Sequence, residues 1–447
     1  MKKTILLMAL ATLLALGGQA FGVLCTIDAV PAATLLVPNF LVDVSDDACA
    51  NNTGVTTLFS VNNASAAPTI AHVTLWTDQS VPVLDFDVYL TGYDVQTINL
   101  KDIFCDGTLP QTGYFSGGNT ISNNGLFSEP KVPFDGCNNG TTPGEGPYYS
   151  NPFSSELVTL LKEWFTGQQS SSLGTCAGSG QVPFAIGYIT IDQTEECSLL
   201  FPADPDYYTT GVLGYDNILW GDYFIVDPDN NFSQGFTAVH VEAGPQGYFD
   251  TGEHTFYGRY EPGLAANNRR EPLGTTYAAR YALGAPFDGT IHWVWREADG
   301  SSASYSCGAA GPSWYPLTQA TDNSVIVFDE QENPFVPQVD PGPSNPLPPD
   351  EIAVRIPNEV NWINVGVLDG EAELDVGDFN FGWVYYNLQA PQSAYGDDIT
   401  QNWVSWVMQA SARYSVGVHG IQLDTACTAG SVPLPVAGPI TANPSEE

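Results

Sequence analysis

Leu84-Asp-Phe-Asp-Val-Tyr-Leu90 decides the fold class of this chain. Leu84, Phe86, Val88 and Leu90 alternate with Asp85, Asp87 and Tyr89. A period of two is that of a β-strand, whose successive side chains leave on opposite faces. The run before it, His72-Val-Thr-Leu-Trp-Thr-Asp78, puts Val73, Leu75 and Thr77 on one face and His72, Thr74, Trp76 and Asp78 on the other. With Thr56–Ser65 and Val95–Leu100, these runs predict an antiparallel sandwich module in which one face of the sheet meets water.

The same texture extends outward. Val182–Asp192, Ile218–Asp227, Phe236–Ala243 and Thr290–Glu297 are rich in β-branched and aromatic residues, and so are Val325–Glu330, Val360–Val367, Phe381–Gln389, Asn402–Gln409 and Tyr414–Asp424. The 44 Gly and 33 Pro punctuate these runs and keep them short. One helix is predicted: Ser154 and Ser155 can cap it, Glu156 sits in its first turn, and Leu157, Leu160, Leu161, Trp164 and Phe165 recur at helical spacing before Gly167. The expected fold is all-β, two antiparallel β-sandwich domains (Ig-like or jelly-roll-like) with one short helix between them.

At the start of the chain, Lys2 and Lys3 precede the apolar run Ile5–Leu16, and Gly18-Gln19-Ala20 supplies small residues, so residues 1–20 read as a secretory signal peptide. A lipid anchor on Cys25 is disfavoured because Leu24 stands where lipoprotein processing wants a small residue. The expected organisation places an N-terminal sandwich with a long loop over 21–150, the helix and connector over 151–178, a second, larger sandwich over 179–430, and a disordered tail over 431–447. The stretch 333–350 carries seven prolines and reads as an extended connection inside the second domain.

Secretion makes the even cysteine count a disulfide framework. Near-neighbour pairing suggests Cys25 with Cys49, Cys105 with Cys137, Cys176 with Cys197 and Cys307 with Cys427, out of 105 connectivities. The formal charge of −38, from 12 basic and 50 acidic residues, excludes nucleic acid as a natural partner, because phosphate binding needs clustered Lys and Arg. After the signal no apolar run is long enough to span a membrane as a helix.

Several stretches resemble a group of secreted hypothetical proteins from bacteria. They are the segment Cys25–Val44, the strands Thr56–Leu100, Asn217–Phe232 and Arg270–Tyr281. The resemblance implies a location at the cell envelope or outside it, and no activity.

Motifs for catalysis are missing: there is no Gly-x-Ser-x-Gly, His-Glu-x-x-His, phosphate loop or Cys-x-x-Cys. No catalytic residue is assigned. His240 and Glu242 share a strand face, a geometry usable by a metal or an acid/base pair, although a polar pair on a wet face is the plainer reading. Asp227, Asp229 and Asn231 repeat oxygen ligands at every second position as calcium loops do, but Phe232 and Ala238 break the EF-hand pattern. Glu371, Glu373 and Asp375 would align on one strand face and make a second weak calcium candidate. No other cofactor is expected. Trp383, Tyr385, Trp403 and Trp406, with Trp293 and Trp295, are either core or a platform for sugar rings.

The leading expectation is a secreted or cell-surface protein without catalysis, serving surface structure, adhesion or ligand binding, with carbohydrate or another cell surface as partner. The alternatives are a secreted carbohydrate-active hydrolase and a calcium-stabilised structural subunit.

Overall fold

Nineteen strands among the described residues of the computed structural model form four five- or four-stranded sheets. It describes residues 27–110, 152–167, 183–204, 206–209, 211–245, 255–260, 269–285, 287, 289–297, 325–335, 337, 356, 358–366, 373–388, 401–410 and 414–424. The expected signal peptide, the expected tail, most of the Pro-rich segment and Cys25, Cys137, Cys176, Cys307 and Cys427 lie outside them. Among the described residues no helix is long and apolar enough to cross a membrane.

The first sandwich packs two sheets. Sheet A orders β4 (Pro82–Leu90), β3 (Thr69–Thr77), β6 (Phe184–Thr194), β1 (Thr34–Asp43) and β9 (Val239–Val241). Sheet B orders β5 (Val95–Asn99), β2 (Thr56–Asn63), β7 (Leu219–Asp227) and β8 (Phe232–Thr237). The second sandwich pairs sheet C, β13 (Pro334–Phe335), β12 (Val325–Asp329), β16 (Phe381–Asn387), β10 (Thr276–Ala282) and β19 (Ile421–Gln422), with sheet D. Sheet D orders β15 (Glu373–Leu374), β14 (Val360–Val365), β11 (Gly289–Arg296), β17 (Asn402–Ala410) and β18 (Tyr414–His419). Every pairing is antiparallel except the short β14–β15 contact, and the all-β sandwich architecture is the one the alternation predicts.

The domain boundary expected near residue 179 does not fall between the sheets. β6 pairs with both β1 and β3, and β7 pairs with β2, so residues 184–241 complete the first sandwich. A strand as apolar as Phe184–Thr194, buried along nearly its whole length, needs neighbours on both edges, and β1 and β3 supply them. The second sandwich starts at β10. Strands on either side of the Pro-rich stretch share its sheets: β16 pairs with β10 and β12, and β11 pairs with β14 and β17.

The wet face expected on β3 and β4 is also corrected. His72, Thr74, Trp76 and Asp78 are buried, as are Asp85, Asp87 and Tyr89. The chain after β6 and the segments near residues 255–260 and 270 lie over this face, contributing Tyr207, Tyr208, Tyr257, Tyr260 and Arg270 to its cover.

The predicted helix is α2 (Ser155–Phe165), following α1 (Asp46–Asn51). Ser154 caps α2 by accepting a hydrogen bond from Leu157 N–H, and Gly167 follows its end in the left-handed conformation at φ 67°. Its buried face sets Phe165 against Phe40 and Phe104, with ring centroids 5.6 and 5.0 Å away, so this helix plugs one end of the first sandwich.

Near-neighbour pairing of cysteines fails at that end. Cys49 of α1 bonds to Cys105 in the single π-turn Asp102–Asp106, across 56 residues. This excludes both Cys25–Cys49 and Cys105–Cys137. Spatial packing of α1 beside the turn, not separation along the chain, selects the partner. Cys197 is also disulfide-bonded, and its expected pairing with Cys176 lies outside the described residues.

Candidate functional site

A row of polar side chains crosses sheet A because register makes it do so. Asp87 on β4 stands opposite His72 on β3, His72 opposite Asp192 on β6, and Asp192 opposite Thr34 on β1. His72 Nδ1–H donates to Asp87 Oδ1 at 2.9 Å, and Nε2 lies 3.8 Å from Asp85 Oδ2. Asp192 accepts from Thr34 Oγ1, from Tyr207 OH at 2.8 Å and from Tyr257 OH at 3.0 Å, with Arg270 Nε 3.4 Å away. Burial disfavours the imidazolium, yet the hydrogen bond and charge of Asp87, with Asp85 and Asp192, outweigh it and raise His72 to about 9. Burial, then the charge of Asp192, pushes the Tyr207 and Tyr257 hydroxyls well above their usual value, so both remain donors. The row is sealed, with His72, Asp192 and Arg270 at 0 % exposure. Nothing can reach it from solvent in this conformation, so its chemistry is to fasten the cover to the sheet.

The other histidines are neutral by geometry. His292 Nε2–H donates to the Arg280 carbonyl at 2.9 Å, and its Nδ1 accepts from Tyr386 OH at 2.7 Å. His419 Nε2–H donates to the Thr237 carbonyl at 2.7 Å while Nδ1 accepts from Trp403 Nε1–H at 3.1 Å. Burial lowers both to about 4. His240 Nδ1–H donates to the Val30 carbonyl at 2.7 Å, and burial lowers its pKa too. Glu242 is buried on the same strand edge and raised by burial and by Asp28. The expected His240–Glu242 pair therefore sits inside the protein rather than on a wet face, and both His240 nitrogens are turned to backbone.

Among the described residues the calcium candidates bring no set of ligands together. Asp227 spends its carboxylate closing the β7–β8 turn, accepting from Asp229 N–H, Asn230 N–H and Asn230 Nδ2. Asp229 Oδ2 accepts from Gly54 N–H at 2.9 Å, and Asn231 takes a left-handed φ of 51°. Asp375 caps its own turn through Gly377 N–H, while Glu371 and the Glu373 side chain lie outside the described residues. Among the described residues no three His, Cys, Asp or Glu side chains could share a metal ion.

The aromatic constellation divides. Trp293, Trp295 and Trp403 are buried core. Trp383 and Trp406 are half-buried and line one groove of about 640 Å³. Trp383 and Arg280 line it as cross-strand partners on β16 and β10 of sheet C, and Phe328, on β12 opposite Trp383, backs the indole from outside the lining. The Phe328 and Trp383 rings stack at 4.3 Å and 11°, which fixes the indole plane. Gly382 lets the strands approach here, because a Cβ would collide with the Phe328 carbonyl. Trp406 and Met408 arrive from β17, Ile421 and Leu423 from beyond the β18–β19 corner. Arg280 and Glu330 are the ionisable liners besides Tyr281. Tyr385 lies two residues along β16 from Trp383, on the same face and outside the groove lining. Arg280 and Glu330 carried no sequence signal, since only strand register brings them to the tryptophans.

Comparison with family models, curated proteins and solved structures returns no match. The site must therefore be interpreted by its own geometry.

Proposed function

We propose that this chain is a secreted, non-catalytic protein that binds neutral polysaccharide through the groove on its second sandwich. The convergence of Trp383 and Trp406 carries this reading. A pyranose ring has one apolar C–H face that stacks on an indole, and its hydroxyls seek donors and acceptors at the rim. Arg280 and Glu330 provide both kinds beside the two indoles. The charge of −38 favours a neutral over an anionic polymer. Glycoside hydrolysis ordinarily uses two carboxylates, and among the described residues Glu330 alone lines the groove, which supports binding rather than cleavage. The Cys49–Cys105 bond supports an oxidising compartment, in keeping with the signal-like N-terminus.

Electrophoresis through gels containing neutral glucans, xylans or mannans, followed by calorimetry with the matching oligosaccharide, tests this. Retardation by at least one polymer is expected, with Trp383→Ala weakening binding roughly tenfold, in line with about 1–1.5 kcal/mol for an aromatic contact. Unchanged binding by the Trp383→Ala, Trp406→Ala double variant, or release of reducing sugar, would overturn the reading.

A further inference from the structure

A second cavity, of about 410 Å³, opens between the two sandwiches and shares no lining residue with the groove. One wall belongs to sheet D: Trp362 and Ile291, with Gln409 from β17. Trp362 is backed by Trp293, its register partner on β11, at 5.3 Å, so the indole is held as a fixed, half-buried plate. Facing it are Phe184 of β6 and the β7–β8 turn, whose Asn230 and Asn231 line the cavity. Strand β17 serves both cavities. Trp406 and Met408 line the groove and Gln409 the cleft, on opposite faces of the strand, with Ala410 joining the cleft at the strand's end.

The chemistry of this cleft is that of a sugar site. The fold holds one aromatic plate beside an apolar floor, and the polar rim is made of amides. Among the described residues the side-chain amides of Asn231 and Gln409 make no hydrogen bond, which leaves their donors and acceptors available. Asp227 and Asp229 are already engaged by backbone N–H groups, and among the described residues no Lys, Arg or His lines the cavity, so the described lining offers neither an anion nor a metal the ligands it needs. The position between two packed sandwiches is where small-ligand sites commonly form.

We infer that the inter-sandwich cleft is a second neutral-glycan site and that each chain can therefore cross-link polysaccharide at two points. This rests on the groove reading above. Two sites on one chain raise the apparent affinity for a long polymer above that for a short oligomer, because the second contact becomes intramolecular.

The test uses the full chain and whichever neutral polymer retards it in gels, with its hexasaccharide as the calorimetric probe. Two hexasaccharide sites per chain are expected. Trp362→Ala should leave one and weaken retention by the long polymer at least tenfold. Gln409→Ala and Asn231→Gly, which touch the rim and suit the local backbone, should each weaken the same site about fivefold and guard against a Trp362→Ala chain that fails to fold. One site per chain, lost in Trp383→Ala and untouched by all three cleft variants, overturns the second site and leaves the groove standing. One site lost only in the cleft variants overturns the groove reading and the cross-linking with it. Failure of the hexasaccharide to bind at either site overturns both.

Discussion

Two fully buried histidines, His72 in the first sandwich and His292 in the second, are held in opposite ways. In the first, both nitrogens of His72 face carboxylates, so the ring is held protonated and its pKa rises to about 9. In the second, His292 faces a carbonyl and a tyrosine hydroxyl, which fits one donor and one acceptor, and its pKa falls to about 4. The residue type and the degree of burial are the same. What differs is the partner: His72 meets Asp87 across the strand of its own sheet, whereas His292 meets Arg280 and Tyr386 from the facing sheet, and the lesson is that the groups set against a buried ring decide its charge state.

The largest way to break the comparison is to remove Asp192, which holds Thr34, Tyr207 and Tyr257 and faces Arg270. Asp192→Ala should cost about 3–5 kcal/mol in denaturant unfolding, because it leaves a buried cation and several donors uncompensated. A loss below 1 kcal/mol would show the row to be dispensable. The next is pH on the alkaline side. The folded pKa of His72 exceeds the ordinary 6.5, so its contribution is full below 6.5 and is lost as pH rises through about 9, on the order of 3 kcal/mol. Thermal midpoints should fall over that window in the native chain and fall less in His72→Gln.

On the acid side the sign reverses. The depressed pKa values of His292 and His419 give stability that is full above 6.5 and is lost as pH falls toward 4, about 2 kcal/mol each by pH 5. His419 joins Thr237 of the first sandwich to Trp403 of the second. Amide exchange at the β8–β18 seam should therefore quicken in acid before exchange in either core does, and simultaneous quickening of all three would contradict a local role. The smallest effect is expected from Tyr386→Phe, which deprives His292 Nδ1 of its donor at a cost of about 1 kcal/mol and should raise the ring's pKa, readable by its proton resonances.

Much of the fold was legible in the sequence. The period of two in Leu84–Leu90 reports strands irrespective of context, and Ser154 and Gly167 mark the helix by local chemistry alone. The face bearing Asp85 and Asp87 was misread because alternation says which residues share a side but not what later chain will cover it. Here the cover is tied down by Ser198 N–H to Asp87 and by the two tyrosines to Asp192, contacts more than sixty residues long in two of the three cases. The disulfide was missed for the same reason, since loop length does not report proximity. In the groove, Trp383 and Trp406 could be named beforehand as aromatic strand residues. Their meeting with Arg280 depends on β16 lying beside β10, across about a hundred residues of chain, a register that no local pattern encodes.

The interrupted layout of the first sandwich also governs the order in which the chain can mature. Thr34 and its partner Asp192 are 158 residues apart, and β6 is the middle strand of sheet A. During synthesis β1, β3 and β4 are made long before the strand that must lie between them, and until it arrives β1 and β3 each keep an open edge. The Cys49–Cys105 bond, by contrast, joins two segments made before β6. It can staple the waiting half while the central strand is still to come, so an oxidant should speed productive folding of this chain more than it raises the final stability.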